Sequence, residues 1–76
     1  MNRQIITAAI SKFVAQREEA KAVLLTYVTN SVGVADHSNI VEEVVEWTKK
    51  LAEAEDCLNV LERAFPAPQQ SEQTDG

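Results

Sequence analysis

Residues 40–65 read IVEEVVEWTKKLAEAEDCLNVLERAF. Within this stretch Ile40, Val44, Trp47, Leu51, Ala54, Leu58, Leu61 and Phe65 recur at alternating intervals of four and three. Residues so spaced lie along one side of a helix, because the two intervals straddle the ~3.6 residues of one turn. The unbroken heptad register predicts one long helix carrying a continuous apolar stripe, and a stripe of that length needs a partner surface to match. Val41 and Val45 flank it on one side, and Cys57, Val60 and Ala64 on the other. The resulting arc is wider than a single neighbouring helix covers.

The ends of this helix are marked by chemistry. Asp36, Ser38 and Asn39 all suit an N-cap, and Asn39 with Glu42 three residues on has the letters of a capping box. Glu42, Glu43 and Glu46 lie toward the positive end of the helix dipole and Arg63 toward the negative end. Pro66 cannot continue the hydrogen-bond ladder, so the second helix is expected over about 39–65. The segment 66–76, PAPQQSEQTDG, has almost nothing apolar to bury and is expected to be a disordered polar tail.

Upstream, residues 2–29 are expected to form a first helix. Its stripe is Ile6, Ile10, Phe13, Ala20, Leu24 and Tyr27, with Arg17 where another apolar residue was due. Arg17 can lay its stem along the seam and keep its head at the edge. Val14, Val23, Leu25 and Val28 widen the arc, and Gln16 to Lys21 is its weakest stretch. The intervening NSVGVADH contains the turn formers Asn30 and Gly33, which places a loop over 30–38. The expected fold is therefore all-α: one domain over 1–65, an antiparallel two-helix hairpin.

A chain of 76 residues is marginal for a single core and usually needs a disulfide, a metal, oligomerisation or very regular helix packing. Cys57 is the only cysteine, and no Cys/His cluster suggests zinc. Oligomerisation or regular packing remains. The simplest way to cover two wide arcs is to pair two hairpins about a twofold axis into a homodimeric four-helix bundle. A higher oligomer and an unknown protein partner are the alternatives. The expected core and oligomer interface comprises Ile6, Ile10, Phe13, Leu24, Tyr27, Ile40, Val44, Trp47, Leu51, Ala54, Leu58, Leu61 and Phe65. No apolar run approaches the length of a membrane span, and no signal peptide is evident, so a cytoplasmic location is expected. Net charge is −5 and uneven. Residues 1–30 carry four basic and two acidic side chains, residues 31–76 three basic and ten acidic. The asymmetry favours contact between the two helices, and the acidic second half argues against nucleic acid as a partner.

Three groups of residues carry the letters of possible sites. Glu43-Val-Val-Glu46 and Glu53-Ala-Glu55-Asp56 carry the letters ExxE and ExxD, which resemble the magnesium motif of all-α nucleotide pyrophosphohydrolases of the MazG type. That resemblance implies Mg²⁺ held by carboxylates from two helices. Here both halves fall on one helix, where ten residues of rise put Glu43 ~15 Å from Glu53. The residues themselves read as a solvated acidic face with Lys49 and Lys50 interleaved and Glu46 and Lys50 one turn apart. His37 reads as a loop residue and Cys57 as a small hydrophobe at the seam. Finally, Met1 to Gln4, Thr7-Ala8 and Lys12 to Val14 loosely resemble the first helix of the Rop family of plasmid RNA-binding proteins. The resemblance implies an RNA surface built from Arg3, Gln4, Lys12, Phe13 and Gln16. The spacing of Phe13 instead puts it in the core stripe. The expected function is that of a small non-catalytic interaction or assembly protein, without cofactor. It is of a size and shape common among phage and mobile-element accessory proteins. RNA binding is the second reading and a MazG-like enzyme a remote third.

Overall fold

The computed structural model describes residues 3–29 and 37–67. It consists of two helices, α1 over Arg3–Thr29 and α2 over His37–Ala64, packed along their length. Neither contains glycine or proline, and alanine, the best helix former, recurs in both. At 1.5 Å rise per residue each is ~40 Å long. The helices run antiparallel: Arg3 meets Phe65 at one end, Gln16 meets Lys50 and Glu53 in the middle, and Tyr27 meets Glu43 near the other end.

α2 begins at His37, two residues before the expected start. Asn39 is then the third helical residue, within the first turn of α2. Asp36 is the residue that immediately precedes the helix; it lies outside the described residues, with the turn residues Asn30 and Gly33. The expected tail beyond Ala67 lies outside them as well. At its other end α2 stops at Ala64, ahead of Pro66, and one further backbone bond runs from Phe65 N–H to the Leu61 carbonyl at 2.8 Å.

This C-terminus is finished by the other helix. Arg3 Nη1 donates to the Phe65 carbonyl at 2.8 Å, supplying a positive charge and a donor where the last carbonyls of a helix lack both. Arg63 adds a basic residue in the last turn of α2. Arg3→Ala is expected to lower hairpin stability by about 1 kcal/mol, read as a lower urea midpoint. Arg3→Lys should recover part of the loss, because an ammonium keeps the charge but not the guanidinium fork.

The ion pairs among the described residues stay within one helix. Arg17 Nε and Lys21 Nζ both reach Glu18 Oε2, at 2.9 and 3.9 Å, and Lys49 reaches Glu46 at 3.8 Å. The charge asymmetry between the two halves is thus not expressed as ion pairs between the helices. The expected Glu46–Lys50 pair is also replaced. Lys50 Nζ sits 4.1 Å from the centroid of the Trp47 ring, where the indole face attracts a cation, and Lys49 takes Glu46 instead.

Candidate interaction surface

Very little of the apolar stripe is sealed inside the hairpin. Ala20 and Ala54 are fully enclosed and Leu58 is 6% exposed; these three are the buried hydrophobic residues of the described chain. Two helices packed 8–10 Å apart can cover a methyl group completely, whereas larger side chains along one seam keep an open flank. Accordingly Ile6, Ile10, Phe13, Leu24, Tyr27, Ile40, Val44, Trp47, Leu51, Leu61 and Phe65 are all half-buried. Arg17 is half-buried too, its guanidinium paired with Glu18. Beyond the seam, Ile5, Leu25, Val28, Val41, Val45 and Val60 are 45–66% exposed.

Helical periodicity divides the open flanks into two long faces. On the first, Leu24, Leu25 and Val28 of α1 and Leu51 of α2 line an open groove of about 550 Å³, with Glu18 and Lys21 at its rim. Arg17 lies one heptad before Leu24, and Leu58 one heptad after Leu51. They continue the same face into a second groove lined by Glu55, Asn59 and Glu62. Val44, one heptad before Leu51, shares it. Among the described residues neither Glu55 nor Glu62 has an ion-pair partner.

The opposite face is organised differently. Its middle is polar, a groove bordered by Lys12, Glu19, Lys50 and Glu53. Gln16 ties the helices together there, its Nε2 donating to the Lys50 carbonyl and to Glu53 Oε1, both at 2.9 Å. An apolar groove follows toward the Arg3–Phe65 end, formed by Ala9, Phe13, Cys57, Val60 and Leu61.

These placements bear on the other readings. Arg3 and Gln16, two of the five residues of the Rop-like surface, bond across the hairpin, and Phe13 stands at the seam. Glu43, Glu46, Glu53 and Asp56 all lie on α2. Glu43 accepts from the Tyr27 hydroxyl at 3.5 Å, Glu46 pairs with Lys49, and Glu53 accepts from Gln16. No group of three His, Cys, Asp or Glu side chains among the described residues could hold a metal ion. No described helix is long and apolar enough to cross a membrane. Sequence reasoning missed all three side-chain ties between the helices. Arg3 and Phe65 are 62 residues apart, and Gln16 sits where the heptad has no apolar signal. Comparison with family models, with curated proteins and with solved structures finds no match to this chain.

Proposed function

We propose that the chain is a non-catalytic assembly module whose hairpins associate with one another, two at a time, into a four-helix bundle. The observation that carries this reading is the mismatch between supply and cover. Among the described residues three are buried, while six large hydrophobic side chains stand 45–66% exposed. Burial of each aliphatic side chain of that size is worth ~1.5–3 kcal/mol, so a second hairpin supplies a large part of the stability that one hairpin lacks. The half-buried stripe on both helices supports the same conclusion, since each helix of a four-helix bundle has two neighbours to bury against. RNA binding through α1 draws no support from the placement of Arg3 and Gln16, both engaged within the hairpin.

Light scattering tests the proposal. At tens of micromolar the expected molar mass is twice the 8.4 kDa of the chain, with no added nucleic acid or metal. A mass of one chain with full helicity would refute it.

A further inference from the structure

Resting on that reading, we infer which face the two copies share and how they are oriented. The face bearing Arg17, Leu24, Val28, Val44, Leu51 and Glu55 packs against itself about a twofold axis parallel to the helices. Both α1–α2 connections then lie at the same end of the bundle.

The argument begins with area. Two helices side by side, each ~10 Å wide and ~40 Å long, present a face of ~800 Å². A stable interface of standard size buries about that much per partner, ~800 Å². Choice of face follows from where exposed apolar side chains stand clear of polar ties between the helices. The polar middle of the opposite face is occupied by Gln16 bonding Lys50 and Glu53 and by Lys50 lying on Trp47. On the proposed face Leu25 and Val28 are 61% and 66% exposed; Arg17 shares Glu18 with Lys21 within its own helix, and Glu55 has no ion-pair partner among the described residues.

Charge then fixes the orientation. Arg17 and Glu55 lie at one level of the hairpin, on α1 and α2 respectively, bordering the same groove. With the twofold parallel to the helices, α1 of one copy faces α2 of the other, and every neighbouring pair in the bundle is antiparallel. Two Arg17 and two Glu55 then alternate around one cross-section, each charge between opposite charges. At the connection end, Leu25 and Val28 of one copy meet Val41 and Val44 of the other. The alternative twofold, perpendicular to the helices, stacks α1 on α1. At full overlap it brings Arg17 within a turn of Arg17 of the other copy, and it lays Val28 over Gln4. Like charges brought that close cost association strength and select against that pairing. Sliding the copies until the apolar ends meet would cut the overlap to about half and leave too little area for a standard interface.

Charge exchange between two full-length variants provides the test, because it separates contacts between copies from contacts within one. Arg17→Glu and Glu55→Arg are each expected to weaken self-association roughly tenfold to a hundredfold by sedimentation or light scattering, since each places like charges across the interface. Mixed in equal amounts, the two variants should form a heterodimer within about threefold of the wild-type affinity, because each copy then offers the charge the other lacks. Wild-type association with undiminished association of Arg17→Glu would overturn the inference. So would a mixture no tighter than either variant alone. Both results would leave the assembly proposal standing, whereas a wild-type chain monomeric at every concentration would remove both. Circular dichroism of each variant shows that the helices persist. Cys57 adds an independent readout from the opposite face: it should stay open to alkylation in the wild-type dimer and should form no disulfide between copies under mild oxidant.

Discussion

Replacing Leu25 and Val28 together by aspartate is expected to leave a chain that no longer associates at micromolar concentration. Both side chains already stand 61% and 66% exposed in the isolated hairpin, so their removal takes little from its internal packing. In the proposed dimer their contribution lies in the contact with a second copy, and twofold symmetry counts each of them twice. Burial of a side chain of this size is worth ~1.5–3 kcal/mol; discounted by about half for the part the hairpin already covers, the four positions supply ~3–6 kcal/mol. Every 1.4 kcal/mol is about tenfold in affinity, so the expected loss is roughly a hundredfold to ten-thousandfold. Carboxylates forced into the same contact add a desolvation cost. The measurement is molar mass by light scattering, with Ser11→Asp on the exposed outer side of α1 as a matched control that should associate normally. A double variant that still forms dimers would place the interface elsewhere.

Leu58→Ala is expected to produce the largest loss of stability of any single truncation in the chain. Leu58 is the only large side chain among the three buried hydrophobic residues; the other two are alanines. Truncating a buried leucine costs ~2–5 kcal/mol through lost transfer energy and the cavity left behind. A folded chain of this length has only ~4–11 kcal/mol in total at 0.05–0.15 kcal/mol per residue. The variant should therefore unfold at markedly lower urea concentration and show partial loss of helicity at room temperature when dilute. Val60→Ala, at a position 50% exposed, should cost well under half as much. Equal costs at the two positions would mean that the helices do not pack through Leu58.

The hairpin was legible because its information is local and periodic. The intervals of four and three from Ile40 to Phe65 define one helical face, and the interruption between Asn30 and His37 separates two helices of nearly equal length. Only the second helix announces a strict register. In α1 the stripe is carried by Ala20 and interrupted by Arg17, and its apolar moment is correspondingly weaker. The enclosure of Ala20 and Ala54 had a readable signal, since alanines within a stripe of larger residues mark where two helices approach closely. The start of α2 was legible only to within a few residues, because Asp36, Ser38 and Asn39 are equally good caps and nothing local ranks them. Arg3 on the Phe65 carbonyl and Gln16 on Lys50 and Glu53 were not readable, because each joins residues brought together only by the antiparallel packing. The same limit explains the mistaken pairing of Glu46 with Lys50. Spacing alone gave Lys50 two neighbours, and the indole of Trp47 competed for it. The flank proposed for a second copy was also hidden, because the exposure of Leu25 and Val28 is a property of the packed helices.

Thermal unfolding followed by circular dichroism across a hundredfold dilution, with molar mass measured on the same samples, probes the coupling of folding to association. For a chain stabilised by pairing, mass action lowers stability by ~2.7 kcal/mol over that range, which shifts the melting temperature downward by roughly 5–11 °C. The account predicts that shift together with a mass falling from two chains toward one as helicity is lost. A melting temperature independent of concentration, in a fully helical sample of 8.4 kDa, would contradict it.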